Sequence, residues 1–555
     1  MDSQKIKKML EDITGVFDRI VESDIRAATG VLLNLVESLA SENEAHSKII
    51  QNLKDEVNRL KGEQGTPKLR PQKKDTTDDH SSEDERKKRK KKSRKKTRTK
   101  KKEIIKPDRR VICKLDVSQL PPDAQRKGYK PIVIQDLKIT TDNIEFQREV
   151  YYSASLKKTF IADLPEGYDG EFGPGIKTLV VSLYHNSNMT QPALKDFFEV
   201  CGVFISEATI SRMLTDKNEV FHQEKEDIMD AGLKGPYQQT DDTSARVNGK
   251  NQHVHIFCNE FYMAFVTTPK KDRFTLLELL CRGELKFSLN QASFELMDSM
   301  GLSQKRLEEV LKTDIQGTFT RSEIDDILRG LFPNPKKQKT NRRIILEAAA
   351  LAYYHSLPHA IKHLMCDDAP QFNFIAQHKS LCWIHEGRHY KKLRPIVPLH
   401  QKLLEGVSTQ LWDFYQKLLE YTEQPTATVA TQLSDEFDMI FSTQTGYDEL
   451  DTRLALTADK KEALLLPLQF PFLPLHNNAS ENGAQHQARL RDIHLQTKNE
   501  KGTKAKDTFA TIVKTARKLN INVYNYFYDR IIKKFSMPSL ASLILEKYQF
   551  QPEIT

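Results

Sequence analysis

The segment that most constrains the fold of this chain is GPYQQTDDTSARVNGKNQHVHIFCNEFYMAFVTTP, residues 235–269. Its alternating runs are separated by an Asn-Gly pair (248–249), which is the strongest short-range signal for a tight β-hairpin. A second turn, Asn-Glu (259–260), follows the next run. The segment therefore predicts three successive antiparallel strands, with two acidic residues, Asp241 and Asp242, on the first strand.

Further acidic residues follow in regions that read as regular structure. The stretch HAIKHLMCDDAPQF predicts a short apolar strand that ends at Asp367 and Asp368, and KSLCWIHEGRHYKK predicts another strand that leads into a basic helix. In LPLHNNASENGAQHQARLR, Glu481 stands at the start of a helix-forming run. A three-stranded meander, a parallel strand and a late helix are typical of a ribonuclease-H-like core, so the predicted fold class is α/β and multidomain.

In such a core the strand-borne acids meet the helix-borne acid at the edge of the sheet, where they would repel one another unless cations lay between them. Mg²⁺ binds through few carboxylates together with phosphate oxygens and water. Two such ions about 3.5–4 Å apart can activate a water or a 3′-hydroxyl and stabilise the leaving oxygen of a phosphodiester. The acidic positions therefore predict a site for two Mg²⁺ (or Mn²⁺) ions.

Four blocks of the sequence resemble the insertion-sequence 66 family of bacterial transposases. QTDDTSARVNGK is similar to the family's DET…RVNGK block, LMCDDAPQF followed by CWIHEGRHY to its second-aspartate and CWAHARR blocks, and HNNASENGAQHQARLR to its NNxAER block. The resemblance covers about residues 130–530. It implies a DDE transposase that binds terminal inverted repeats, cleaves the element ends and joins the 3′-hydroxyls to target DNA, with Asp241, Asp367 and Glu481 as its catalytic and metal-binding residues.

The chain departs from the family pattern beside two of these acids. Asp242 occupies a position where the family often has Glu, and Asn482 follows Glu481 where the family often has Arg. The role of that arginine would then fall to Arg489 or Arg491. The cysteine pairs that are typical upstream of the family's catalytic domain are missing, so the resemblance implies no zinc finger here.

Each strand-borne aspartate lies in a pair, and the pattern alone leaves both pairs open. Adjacent strand residues point to opposite faces of a sheet, so only one member of a pair can reach a shared metal ion. The resemblance selects Asp241 over Asp242 and Asp367 over Asp368.

The stretch MTQPALKDFFEVCGVFISEATISRML, residues 189–214, has the spacing of a helix-turn-helix. Pro192 can open a first helix, Gly202 supplies the turn, and Ser206 can cap a second helix. The residues left to face a DNA groove are Thr209, Ser211 and Arg212. Candidates for DNA contacts elsewhere are Arg388, Lys391, Arg489, Arg491 and Lys498. A generic helical hairpin and ordinary solvated surface residues are the alternatives.

The net charge of +9 arises from one tract. Residues 86–102 contain 14 Lys and Arg and no acid, and without them 71 basic residues stand against 76 acidic ones. A basic run repels itself, stays disordered and binds polyanions through counterion release. Residues 63–106 are therefore predicted to be a disordered, DNA-binding linker, with a solvated tail or a nuclear-import signal as the alternative.

The six cysteines are scattered and include no C-x-x-C pair. This argues against a disulfide framework or a four-cysteine zinc site and favours a reducing compartment. No apolar run reaches the roughly 18 residues of a membrane span, and the start has no signal-peptide core. The predicted location is the cytoplasm, at the bacterial nucleoid, or the nucleus in a eukaryote, with no membrane partner.

Cys382 and His385 form a C-x-x-H pair after the second aspartate block. Two ligands fall short of the four that a structural zinc ion needs. A packed cysteine and a hydrogen-bonded or DNA-facing histidine are the favoured interpretation, and a zinc site is the lesser one.

Residues 1–62 predict a helix whose 3-4 spaced seam consists of Val36, Leu39, Ile50, Leu53, Val57 and Leu60. This pattern predicts a short coiled coil that joins protomers into a homo-oligomer, with a packed hairpin inside one monomer as the alternative.

The later boundaries follow from shifts in the pattern. They are a small β-rich region (107–170), a helix-turn-helix-like region (171–232), the first part of the catalytic core (233–395, with a helical insert at about 275–350), a helical insertion (396–465), and the second part of the core with C-terminal helices (466–555). Two rival functions are a non-catalytic DNA-binding protein derived from a transposase scaffold and a nuclear coiled-coil scaffold that uses the basic tract.

Overall fold

The computed structural model describes residues 10, 23–61, 107–115, 121, 125, 128–168, 170–313 and 315–549. The chain divides into two compact units, of which the first holds residues 1–77, 165–194 and 207–555 and the second holds 78–164 and 195–206. The predicted linker, residues 63–106, lies outside the described residues. In the described ranges the protein is mixed α/β, as the sequence predicts.

The strands in these ranges are β1 (Val150–Ser153), β2 (Lys158–Ile161), β3 (Gln238–Val247), β4 (Lys250–Cys258), β5 (Met263–Thr268), β6 (Phe287–Leu289), β7 (Gly317–Phe319), β8 (His363–Cys366) and β9 (His378–Leu381). The helices up to β8 are α1 (Ser23–Leu60), α2 (Pro174–His185), α3 (Gln191–Val200), α4 (Glu207–Thr215), α5 (Glu219–Leu233), α6 (Arg273–Cys281), α7 (Gln291–Ser299), α8 (Gln304–Leu311), α9 (Arg321–Leu331) and α10 (Lys339–His355). The later helices are α11 (Trp383–Lys392), α12 (Pro398–Glu423), α13 (Ala427–Phe441), α14 (Asp448–Ala458), α15 (Lys461–Leu464), α16 (Leu466–Gln469), α17 (Asn478–His494), α18 (Glu500–Lys518), α19 (Val523–Ile531) and α20 (Leu540–Gln549). None of these helices combines the length and the apolar character that crossing a lipid bilayer requires.

The first unit contains a five-stranded sheet with the order β5-β4-β3-β8-β9. Strands β3, β4 and β5 are antiparallel neighbours, and β8 and β9 run parallel to β3. The turn between β3 and β4 holds Asn248 and Gly249 at φ angles of 46° and 75°, a left-handed pair that Asn-Gly adopts at low cost. The predicted meander and the two predicted strands after it are therefore confirmed.

Helix α18 closes the outer edge of this sheet. The N–H of Phe265 on β5 donates to Thr511 Oγ1 at 3.0 Å, and the N–H of Thr267 donates to Asp507 Oδ2 at 2.7 Å. A free strand edge would otherwise present unpaired donors to another chain. Side chains of α18 thus satisfy the donors of β5 and end the sheet there.

The two stretches that were predicted as helical insertions are mainly helical. Residues 275–350 contain α7, α8 and α9 with most of α6 and α10, and also a two-stranded antiparallel sheet, β6–β7, that the sequence pattern did not predict. Residues 396–465 form helices α12 to α15, which pack in one apolar core with Trp383, a fully buried side chain. This core supports α11, the helix that follows the parallel strands.

The predicted β-rich region, residues 107–170, has a single hairpin, β1–β2, in its described part. The alternating stretch PIVIQ, residues 131–135, forms no strand, and Ile132 and Ile134 are 76% and 78% exposed. The prediction of a strand there was wrong. Alternation produces a strand only when a neighbour supplies hydrogen bonds and a second layer buries one face.

The two helices of the predicted helix-turn-helix are present as α3 and α4, with Gly202 between them at a φ of 80°. Ile210 and Leu214 of α4 are buried. Most of α3 belongs to the second unit, whereas α4 belongs to the first.

Helix α1 is anchored to the rest of the first unit by hydrogen bonds to a buried carboxylate. Glu37 accepts hydrogen bonds from the N–H groups of Ile396 (2.5 Å) and Val397 (3.1 Å), and its Oε2 lies 3.2 Å from His400 Nδ1. Leu33 packs beside Val397 in the same place. The later seam positions Leu39, Ile50, Leu53, Val57 and Leu60 are instead 47–81% exposed.

Replacing Glu37 with alanine is expected to release α1 from the rest of the first unit. The change leaves the N–H groups of Ile396 and Val397 without this acceptor, which costs about 1–3 kcal/mol for a buried group such as that of Val397. Hydrogen exchange measured by mass spectrometry is expected to rise over α1. Glu44→Ala, which removes an exposed pair with Lys48 on the same helix, is the control and should leave exchange near Leu33 unchanged. Equal exchange in both variants would contradict the anchoring role.

Candidate active site

Asp241 lies on β3, and Asp367 directly follows β8, the parallel strand beside it. Gln239 of β3 is in register with Met365 of β8, and each aspartate lies two residues further along its own chain. Parallel neighbours are about 4.8 Å apart, and residues in register point to the same side of a sheet. The register therefore brings these two carboxylates together.

Glu481 is carried to this pair by the first turn of α17. The start of that helix is fastened to β3 immediately before Asp241. Asn477 Nδ2 donates to the carbonyl oxygen of Thr240 at 2.7 Å, and Ser480 Oγ reaches the same oxygen at 3.4 Å. All three acids predicted as catalytic thus belong to one local arrangement of β3, β8 and α17.

Gly483 permits α17 to lie this close to the sheet. A Cβ added at this position would stand 3.0 Å from Cγ2 of Ile256 and 3.2 Å from Sδ of Met263. A larger side chain would push the helix outward and move Glu481 away from the strands.

The two members of the first aspartate pair face opposite sides of β3. Ala245 packs in the apolar cluster beneath α17 and α18. Asp241 lies four residues before Ala245 on the same strand, and residues separated by an even number point to the same face of a sheet. Asp242 points to the other side, where its carboxylate accepts from Lys271 Nζ at 3.0 Å and from Gln371 Nε2 at 2.9 Å. The face that carries Glu481 is therefore the face of Asp241.

The second pair is divided in the same way. Asp368 lies 2.7 Å from Lys460 Nζ and 3.4 Å from Lys379 Nζ, and although burial raises its pKa, the hydrogen bonds and charges of these lysines lower it further, to below the usual range. Asp367 and Asp241 accept backbone N–H groups, and neither has a cationic partner within the ranges that the structure describes. Asp241 and Asp367, the two aspartates without a cationic partner in the described ranges, are therefore the two that the register of β3 and β8 brings together.

The environment of Asp241 disfavours a negative charge. Burial, and then the negative charges of Asp367, Asp242 and Glu481, raise the pKa of Asp241 to about 7, although the N–H of Asp242 lowers it. The acids are therefore within electrostatic reach of one another. A cation shared between them would remove this repulsion.

Glu481 makes its own side-chain contacts with α11. Its Oε2 lies 2.9 Å from Arg388 Nη2, and its Oε1 lies 3.4 Å from His385 Nδ1. Oε1 is buried and accepts no hydrogen bond from any described residue. The C-x-x-H spacing gave only Cys382 and His385, and no local signal joined them to a glutamate on a helix distant in sequence.

The residues present fit a divalent cation bound through oxygen. Asp241 and Asp367 supply two carboxylates without a cationic partner in the described part of the chain, and Glu481 supplies a third carboxylate, whose Oε2 contacts Arg388. These are the donor types that Mg²⁺ and Mn²⁺ prefer.

The residues predicted to contact DNA fall in different surroundings. On α4, Arg212 is exposed and donates to Thr209 Oγ1 at 3.1 Å. Arg491 donates to the carbonyl oxygen of Ser244 and so holds β3 as well. Arg388 is exposed and pairs with Glu481, and Lys391, Arg489 and Lys498 are exposed as well.

A cavity of about 170 Å³ lies between α2, α4, α17 and α18. Its lining includes Ser211, Arg491 and Lys498 from the predicted set, together with Arg246 and Lys506. All of its lining residues are described, and none of them is acidic. The structure thus brings Ser211 together with Arg491 and Lys498, which are distant from it in the sequence, in a pocket of positive charge that the sequence pattern did not reveal.

No family model matches the chain, and no solved structure matches it. The chain is similar to the uncharacterized protein y4jO of Sinorhizobium fredii (strain NBRC 101917 / NGR234), with 30% identity over 327 residues. The similarity covers 58% of this chain and 100% of that protein. The name of that relative assigns no activity.

Proposed function

Because the chain belongs to the same family as the uncharacterized protein y4jO of Sinorhizobium fredii, we propose its function from the site itself. We propose that the protein is a DDE-type DNA transposase of the insertion-sequence 66 kind. It would bind terminal inverted repeats, cleave the ends of its element and join the 3′-hydroxyls to target DNA. The observation that carries this proposal is the parallel register of β3 and β8, which places Asp241 and Asp367 each two residues beyond the paired Gln239 and Met365, with Glu481 in the first turn of α17.

The fold proposed for the catalytic core is ribonuclease-H-like. The support is the strand order β5-β4-β3-β8-β9, which joins an antiparallel meander to two parallel strands. The carboxyl end of β8 and the middle of β3 present the aspartates, and α17 crosses that face with the glutamate.

In this proposal Asp241, Asp367 and Glu481 hold the divalent cations, Mg²⁺ or Mn²⁺. Two such ions, when bound, activate the attacking water or 3′-hydroxyl and stabilise the leaving oxygen. The three side chains fix the position of the scissile phosphate. Arg388, whose side chain is 46% exposed, can exchange its contact with Glu481 for a DNA phosphate.

The rest of the chain would hold DNA and a second protomer. The basic linker 63–106 and the helix-turn-helix-like region bind the terminal repeats, and helices α12 to α15 shape the DNA channel. The exposed apolar seam of α1 supports pairing of protomers through a coiled coil, because isolated helices rarely expose such a row of leucine and isoleucine.

The test is cleavage of DNA by the full-length protein. The substrate is a duplex that carries the inverted-repeat sequence flanking the gene, and a duplex of scrambled sequence is the control. We expect nicking at the repeat end with Mg²⁺ or Mn²⁺, no nicking with EDTA, and weaker binding to the scrambled duplex.

A second candidate is a non-catalytic DNA-binding protein that retains the transposase scaffold. The observation that favours it is the contact of Glu481 with Arg388 and His385 on α11. Sequence-preferring binding without cleavage in either cation would support this candidate and contradict the transposase. Binding that shows no sequence preference and disappears when residues 63–106 are deleted would contradict both and favour a scaffold that uses only the basic tract.

A further inference from the structure

Glu481 also takes part in a second cluster of metal-binding side chains. The ligand atoms of Cys382, His385 and Glu481 all lie within 4.8 Å of one another. Cys382 is the N-cap of α11, His385 lies in the first turn of that helix, and Glu481 lies in the first turn of α17. The N–H of Asn477 donates to Cys382 Sγ at 3.2 Å and so ties the two helix starts together.

Two of the three ligand atoms lack hydrogen-bond partners. His385 Nδ1 and Glu481 Oε1 face each other at 3.4 Å, yet each is buried without a partner among the described residues. Nitrogen and oxygen ligands that bind one tetrahedral zinc ion at about 2.0–2.1 Å stand about 3.3 Å apart. The observed separation is therefore the one that a shared ion requires.

The sulfur of Cys382 is arranged as an acceptor. The side chain is 2% exposed, and its sulfur accepts a hydrogen bond from the N–H of Asn477 at 3.2 Å. This donor would stabilise a thiolate once a cation had balanced its charge. Binding of the ion then forms a metal–sulfur bond, breaks the S–H bond and releases the proton to solvent.

We propose that Cys382, His385 and Glu481 bind one Zn²⁺ ion and leave its fourth position open. Thiolate and imidazole ligands select zinc over Mg²⁺, which prefers oxygen ligands and water. Three protein ligands with an open position are the pattern of catalytic zinc sites, whereas structural sites use four. This inference goes beyond the transposase proposal, and because the two sites share Glu481, it assigns Oε1 of that residue to the zinc ion and leaves Oε2 to the catalytic cations.

Arg388 is the group that competes with this ion. Its Nη1 lies 3.1 Å from His385 Nε2, and its Nη2 lies 2.9 Å from Glu481 Oε2. A neutral histidine that binds metal through Nδ1 carries its proton on Nε2, so the contact between Arg388 and Nε2 must break. Because Arg388 is 46% exposed, it can turn to solvent or to a phosphate. Zinc binding is thus coupled to the release of Arg388.

The test uses Co²⁺ as a spectroscopic probe of the metal-free, full-length protein. We expect one Co²⁺ per chain, a sulfur-to-cobalt charge-transfer band, and displacement of Co²⁺ by equimolar Zn²⁺ but not by a large excess of Mg²⁺. Cys382→Ser should abolish the band, and His385→Gln should lower the affinity at least about 100-fold, since even outer-shell partners of metal ligands contribute 10- to 100-fold. Cys258→Ser, at a buried cysteine of β4, is the matched control and should keep both band and affinity.

Absence of the band, or its persistence in Cys382→Ser, would overturn the proposal. If Cys382→Ser fails to fold, the affinity of His385→Gln decides, because His385 is half-buried and its replacement removes little packing. DNA cleavage is not the readout. A missing cobalt band together with Mg²⁺-dependent cleavage would contradict the zinc site and support the transposase. A cobalt band without Mg²⁺-dependent cleavage would support the zinc site and contradict the transposase.

Discussion

Asp241→Asn is expected to reduce Mg²⁺-dependent DNA cleavage by about 10³-fold or more, whereas Asp242→Asn is expected to change it by only a few-fold. A metal ion supplies several kcal/mol of charge stabilisation to the transition state, and each 1.36 kcal/mol is a factor of ten in rate. Asparagine at position 241 keeps the shape of the side chain and loses the charge that binds the ion. Asp242 instead pairs with the half-exposed Lys271 on the other face, and such pairs contribute little.

The same comparison can be made with the second aspartate pair, Asp367 and Asp368. Asp367→Asn should resemble Asp241→Asn, and Asp368→Asn should resemble Asp242→Asn, because Lys460 and Lys379 already neutralise Asp368. The measurement is the single-turnover nicking rate, with binding to the terminal-repeat duplex measured in parallel to show that each variant is folded. A loss of 10³-fold in Asp242→Asn with normal rates in Asp241→Asn would contradict the assignment of the catalytic face.

The meander could be predicted because its signals are local. The Asn-Gly turn, the alternation of β3 and β4, and the short apolar run of β8 each lie within ten or so residues, and strand period and turn chemistry act over that range. Alternation also established that only one aspartate of each pair could serve. It could not say which one, because that depends on which face α17 covers.

The details of the site depend on contacts between residues that are far apart in the sequence. Lys460 of the insertion neutralises Asp368, and Gly483 sets the distance between α17 and the sheet. Neither residue has a local pattern that marks its role. The same holds for the C-x-x-H pair, whose third ligand, Glu481, arrives only when α17 and α11 start side by side.

PIVIQ is the opposite case, in which a local pattern predicted too much. Its β-branched residues favour a strand, as those of β4 do, but Ile132 and Ile134 remain exposed and the stretch forms no strand. A segment with high β-propensity forms a strand only when tertiary contacts stabilise that conformation. The difference between PIVIQ and β4 is therefore the presence of neighbours and not the local propensity.

Glu386→Ala is expected to lower the free energy of unfolding of the first unit by about 3–5 kcal/mol. Glu386 is 4% exposed and pairs with the buried Arg453 of α14, and it accepts from Thr457 Oγ1 at 2.6 Å. Removing one partner of a buried ion pair leaves the other charge buried and uncompensated, which is costly. Because α11 also carries His385 and Arg388, the loss should loosen the helix that contacts Glu481.

Two further variants separate this cause from a general loss of packing. Adding Arg453→Met to Glu386→Ala should recover most of the lost stability, since replacing both members of a buried pair by apolar groups is often nearly neutral. Glu436→Ala, which removes an exposed pair with Lys417, should cost only about 0–1 kcal/mol. The measurement is the midpoint of urea unfolding. If the double variant were no more stable than Glu386→Ala, the uncompensated charge of Arg453 would not be the cause, and the contribution of Glu386 would lie in its packing between α11 and α14.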